Sequence, residues 1–202
     1  MVDLIGPSLS FLYFMFIAAI TPGPNNVMLT ASGINFGYKR TIPHMLGIIV
    51  GFNVLIMCGA LGVGSIYQAF PQIEWILKGL GSAYLLYLAY RIANAGRVGL
   101  KEQKESAKRP MNFFEAAGFQ FVNPKAVVFA FAAASFLPKE FTLMESLIVM
   151  LVCSTIASVI STNVWALFGK MIAKLFRNDR ARQIINVILA LLLLATIPMM
   201  VL

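Results

Sequence analysis

The chain has 202 residues, 59% of them hydrophobic and only 12% charged, about half the charged share of an ordinary soluble domain. That composition excludes a soluble multidomain enzyme, and at roughly 100 to 200 residues per domain the length holds one compact unit. A net charge of +8 and a pI near 9.7 would raise nucleic acid as a partner in a polar chain, so where the charges sit decides what they mean.

No charged residue occurs from Leu4 to Tyr38 or from Thr41 to Ile73, and a bilayer core needs about 20 apolar residues per helix. One span fits in each gap. The first is interrupted near its middle by Thr21-Pro22-Gly23-Pro24-Asn25-Asn26; the second carries Pro43 and His44, then Gly47 and Gly51 in G-x-x-x-G spacing, then Asn53. A third span is predicted over about Trp75 to Tyr90, closed by Arg91. The polar stretch from Asn94 to Pro110 contains Gly96, Gly99 and a run of basic residues, and reads as a cytoplasmic linker. A fourth span follows from about Met111 to Leu137 and contains Asn123-Pro124-Lys125. The fifth covers Ser146 to Gly169, with Ser154, Ser158 and Thr162 every fourth residue, and the sixth covers Gln183 to Leu202. The fold class expected is therefore all-α and integral to the membrane.

Sidedness follows from the positive-inside rule. Lys39 and Arg40 lie between spans one and two; Arg91, Arg97, Lys101, Lys104, Lys108 and Arg109 between three and four; Lys170, Lys174, Arg177, Arg180 and Arg182 between five and six. Thirteen of the 16 basic residues thus share one side, and both termini are predicted outside. No Lys or Arg precedes Lys39, so the first segment is read as a retained span rather than a cleaved signal. The basic loops are interleaved with Glu102, Glu105 and Asp179 and flank apolar helices, which reads as orientation and lipid contact, not nucleic-acid binding. Cys58 and Cys153 fall within spans and lack metal-ligand spacing.

Residues 1–93 and 111–202 each hold three spans, an odd number, so the second half enters the membrane from the opposite side. This predicts one transporter domain built from two inverted three-helix repeats joined by the linker at 94–110. Writing Thr21 to Arg40 above Phe121 to Glu140 pairs Pro24 with Pro124, Asn25 with Lys125 and Lys39 with Lys139, a register of one hundred residues.

Two prolines in the first span remove two backbone donors and deny bonds to the carbonyls of Ala18 and Ile20; Pro124 does the same to Gln120. In hydrocarbon such groups cost several kcal/mol each unless they face protein, water or substrate. Paired breaks at corresponding positions point to a site near the bilayer midplane. Half-helices starting near Asn25 and Lys125 would offer N–H groups to a carboxylate, and freed carbonyls would accept from an ammonium. A small amino acid would be held at both ends.

Lys125 lies about 14 residues from either loop, roughly 20 Å of helix and too deep for easy snorkelling. No Asp or Glu lies in a deep span to pair with it, so it is the strongest candidate to bind a substrate carboxylate or carry a coupling proton. Asn53 is the second deep polar group and is read either as packing glue or as part of the site. His44, near the cytoplasmic end of span two, is read as an interfacial histidine that needs no special role, with proton sensing as the lesser alternative. The Ser154, Ser158 and Thr162 row and the Gly47 and Gly51 pair read as close-packing faces.

Laid out this way, the chain resembles the LysE-type amino-acid exporter family, in particular its homoserine, threonine and cysteine exporter branch. The resemblance rests on TPGPNN in the first span and QFVNPKAVVF in the fourth, with six spans and a basic central loop, and covers essentially the whole chain. Pro22, Gly23, Pro24 and Asn25 match the first family motif; Asn123, Pro124 and Lys125 match the second. It implies a proton-coupled antiporter in the bacterial inner membrane that exports small amino acids, with no cofactor. Members that export lysine or arginine look to carry an acidic residue near the position of Asn53, and some another where Phe129 stands. Neither carboxylate is present here, so neutral substrates such as threonine, homoserine, cysteine or O-acetylserine are expected. Proton coupling is left without an obvious carboxylate carrier.

A membrane enzyme would need a nucleophile with a base, or a metal cluster, and one His with no intramembrane acid supplies neither. A channel, or a cation exporter on the same scaffold, is the alternative. Small-residue faces allow a homodimer.

Overall fold

The computed structural model describes residues 5–62, 71–95, 109–134, 141–176 and 178–198. Most of the linker, with Arg97, Lys101, Lys104 and Lys108, lies outside the described residues, as do Lys139 and Arg177. Among the described residues eight α-helices follow one another: α1 Ile5–Ile20, α2 Pro24–Phe36, α3 Tyr38–Ala60, α4 Pro71–Asn94, α5 Phe113–Phe119, α6 Pro124–Ala134, α7 Leu143–Leu175 and α8 Asp179–Leu194. A 3-10 turn, Gln120–Val122, joins α5 to α6.

By length and composition α3 and α7 are each able to cross a membrane. Two bent pairs raise the number to four if each pair is one span: α1 with α2, bent by 57°, and α5 with its 3-10 turn and α6, bent by 72°. The bends fall on the two proline motifs. The expected third and sixth spans are not among these: among the described residues α4, which carries Glu74, Lys78 and Arg91, and α8, which ends at Leu194 after 16 residues, do not meet the criterion.

Helix starts are written locally. Asn112 and Glu115 form a capping box at α5, as do Thr142 and Glu145 at α7, and Asn178 accepts from the Arg180 N–H at α8. Pro24 and Pro124 open α2 and α6, where a missing N–H costs no helical bond.

The helices pack closest where side chains are smallest. A Cβ on Gly33 would lie 2.3 Å from the Ala166 carbonyl, and one on Gly169 would lie 2.2 Å from the Thr30 carbonyl, so α2 and α7 meet backbone to backbone. The G-x-x-x-G pair does the same for α3 and α5: Gly47 faces the Phe113 carbonyl and Gly51 the Ala117 carbonyl. One apolar cluster gathers Leu29, Ile34, Met45, Leu85, Leu88 and Phe119; a second gathers Phe11, Met15, Leu55, Ile56, Phe141 and Met150. Outward, α7 exposes Ile148, Val152, Ile156, Val159, Val164 and Leu167, a surface suited to lipid tails rather than water.

Candidate functional site

The two proline motifs, one hundred residues apart, line a single cavity. Gly23, Pro24, Asn25 and Asn26 from α2 and its lead-in meet Asn123 and Lys125 from the start of α6, closed by Ile48 and Phe52 of α3, Phe129 of α6, and Ser158, Ser161 and Thr162 of α7. Its empty volume is about 520 Å³. The cavity draws Ile48 from the first apolar cluster and Ala126 from the second, so it sits where the two meet.

Among the described residues Lys125 is the one ionisable side chain on this wall, and its Nζ donates to the Thr21 carbonyl at 2.5 Å. This brings the head of α6 against the break in α1 and α2. Gly23 is extended and lies beside the lysine stem, such that a Cβ there would come 2.9 Å from Lys125 Cδ and 3.3 Å from Nζ. No side chain caps α2, which leaves its first turn open toward the cavity.

The break is satisfied mainly by protein. Asn26 Nδ2 donates to the carbonyls of Ala19 and Thr21, both at 2.9 Å. Ser161 Oγ donates to Ala19 at 2.8 Å and Trp165 Nε1 to Ile20 at 3.2 Å. This corrects the expectation of an open carbonyl at Ile20, which accepts from Trp165, and the neighbouring carbonyls of Ala19 and Thr21 are engaged as well. The Gln120 carbonyl is likewise not free, because the chain tightens into a 3-10 turn and the Asn123 N–H reaches it at 3.4 Å.

Asn25 and Gln120 exchange amide hydrogen bonds, Nδ2 to Oε1 at 2.8 Å and Nε2 to Oδ1 at 3.2 Å, clamping α2 to the turn before α6. Asn123 is 2% exposed, and its Oδ1 has no hydrogen-bond partner among the described residues. An unsatisfied buried acceptor on a cavity wall is a place where a donor is wanted.

Some expected site residues lie elsewhere. Asn53 is not on the cavity wall; its Nδ2 donates to Thr155 Oγ1 at 2.8 Å and its Oδ1 accepts from Ser154 Oγ, joining α3 to α7 as packing glue. Pro22 is exposed, and Pro124 starts α6 without lining the cavity. Conversely Ser158 and Thr162, read as packing residues, are on the wall, together with Ser161 and Gln120's partner Asn25. Gln120 and Ser161 were legible only as polar residues in apolar runs. His44, read as interfacial, is 1% exposed.

With this geometry in place, comparison with known proteins is decisive about lineage. The LysE type translocator model matches residues 16–196. The chain belongs to the LysE family. Among relatives of this LysE-family member, a cysteine/O-acetylserine efflux protein of Escherichia coli K12 is 33% identical over 188 residues, covering 91% of this chain and 92% of the relative. A protein of the same name from Salmonella choleraesuis is 30% identical over 185 residues, covering 91% and 92%. No solved structure matches the chain. The proline motifs of this LysE-type translocator therefore lie at the cavity of a transport family's fold.

Proposed function

We infer that this translocator exports small neutral amino acids, of the cysteine, O-acetylserine, threonine and homoserine class, from the bacterial cytoplasm by alternating access around the central cavity. The observation that carries the reading is the convergence of Lys125 and Asn123, whose Oδ1 is unpartnered among the described residues, on one cavity at two half-helix starts. Lys125 Nζ and the open first turn of α2 meet the substrate carboxylate, and Asn123 Oδ1 accepts from its ammonium. The hydroxyls of Ser158 and Thr162 and the ring of Phe129 face the side chain. A wall without a carboxylate offers no counter-charge to a cationic side chain, which favours neutral substrates over lysine or arginine. The names of the relatives support the sulfur and acetylated members of that class.

The wider architecture proposed is six spans in two inverted repeats, residues 1–93 and 111–202 around the linker at 94–110, with both termini outside and the basic loops in the cytoplasm. The two rigid breaks at Pro24 and Pro124 are the pivots, and inward proton movement drives export. Saturable countertransport in proteoliposomes loaded with radiolabelled cysteine, O-acetylserine, threonine or homoserine tests the reading. A linear, uncoupled leak would favour a channel, and transport of lysine alone would favour a cation exporter.

A further inference from the structure

A second cavity, with an empty volume of about 440 Å³, lies between α2, α3, α4 and the segment leading into α5. It shares no lining residue with the central cavity. Along α3 the two are successive: His44 lines the second, while Ile48 and Phe52, one and two turns further on, line the first. A helical turn of four residues spans about 6 Å, so the cavities are stacked along one path. Met28 of the second and Ile48 of the first belong to the same apolar cluster.

The polar wall of this cavity is engaged, with one exception. Ser32 Oγ shares a hydrogen bond with Thr41 Oγ1 at 2.8 Å, and Asn35 Nδ2 donates to Asn186 Oδ1 at 2.9 Å. Arg109 forks onto Glu115 at 2.8 and 2.7 Å, and Arg91 Nη2 donates to the Arg109 carbonyl at 2.9 Å. The exception is His44, whose Nδ1 and Nε2 are both buried and have no partner among the described residues. The charged groups around it are Arg91, Arg109 and Glu115, a net positive charge of one that favours an anionic group in the cavity.

A neutral imidazole offers one donor and one acceptor. Those are the complements of a carboxylate and an ammonium on the same small molecule. We propose that this cavity is a second amino-acid site, occupied on the way between the basic face and the central cavity, with His44 as its contact group and Arg91 as its charge. The identity of the ligand rests on the export reading; the existence of the site rests on the cavity and its unpartnered histidine.

His44 is the one histidine of the chain, so its imidazole can be observed alone. The protein is labelled with ¹⁵N-histidine, purified through a tag that contains none, and placed in zwitterionic nanodiscs. Titration with O-acetylserine, cysteine or threonine should shift the imidazole nitrogen resonances saturably. The shift should persist in Lys125→Met, which disables the central cavity, and Arg91→Gln should weaken it about tenfold, the loss of one charge-assisted hydrogen bond. No shift at saturating concentration of any of the three overturns the proposal. So does a shift that vanishes in Lys125→Met, or one produced only by anionic lipid. Countertransport is measured on the same preparation: a saturable shift without transport would refute the export reading and leave the site standing.

Discussion

Gly23→Ala isolates the position of Lys125 from the integrity of the fold. Gly23 has φ −171°, extended backbone that alanine adopts freely, so the substitution carries no conformational strain. Its new methyl would lie 2.9 Å from Lys125 Cδ, 0.5 Å inside the 3.4 Å where ordinary contact begins, and 3.3 Å from Nζ. The atoms in the way are the far end of a flexible side chain, and no backbone atom is among the three nearest. The lysine therefore yields, and its Nζ is levered off the Thr21 carbonyl that holds it at 2.5 Å. A hydrogen bond to a charged group contributes about 1.5–3 kcal/mol. Losing about half of it at the site of carboxylate binding predicts a rise of about three- to tenfold in the apparent KM for export. Thermal unfolding in detergent, followed by Trp fluorescence, should fall by no more than about 6 °C from the parent. The assay is countertransport in proteoliposomes at matched protein content. Unchanged KM would refute the reasoning, and so would an unfolded protein, because the argument requires the side chain to move and the backbone to stay.

Lys125→Met should abolish countertransport of every neutral substrate while folded protein is recovered from the membrane; full activity in this variant would sink the assignment of the carboxylate to Lys125. Asn26→Ala removes the donor shared by the Ala19 and Thr21 carbonyls and should destabilise by about 1–3 kcal/mol, read as a lowered unfolding midpoint. Gly169→Ala puts a methyl 2.2 Å from the Thr30 carbonyl, which α2 and α7 cannot accommodate without separating by about an ångström. It should cost about 3 kcal/mol or more and deplete folded protein on size-exclusion chromatography, the opposite pattern to Gly23→Ala.

What could be read in the sequence was set by the rarity of the signal. A lysine or two prolines in an uncharged run are improbable events, so Lys125, Pro24 and Pro124 could be singled out, and the structure puts Lys125 and Pro24 on one cavity. The helix starts were equally legible, since Pro24 and Pro124 both open half-helices. Amide and hydroxyl side chains were not, because the same residue type serves as glue or as lining depending on helix rotation. Asn53 faces α7 and is consumed by Ser154 and Thr155. Ser158 and Thr162, on the same helical row as Ser154, face the cavity. For His44, distance along α3 from its basic end indicated depth but not that neighbouring helices cover it, which leaves it 1% exposed.

The satisfied break changes how a substrate would be gripped. Open carbonyls at the kink would have competed for any ammonium, including the side-chain ammonium of lysine, and would have given little selectivity. With Asn26, Ser161, Trp165 and Lys125 all donating into Ala19, Ile20 and Thr21, the kink is a fixed scaffold rather than a ligand. Among the described residues, the buried side-chain acceptor on the wall without a partner is Asn123 Oδ1, next in sequence to the proline that starts α6. On the proposed reading that oxygen takes the substrate ammonium and Lys125 its carboxylate. A substrate with a second positive charge would bring it to a wall whose only ionisable group is already positive, so on the proposed reading discrimination against basic amino acids follows from what the cavity lacks as much as from what it holds.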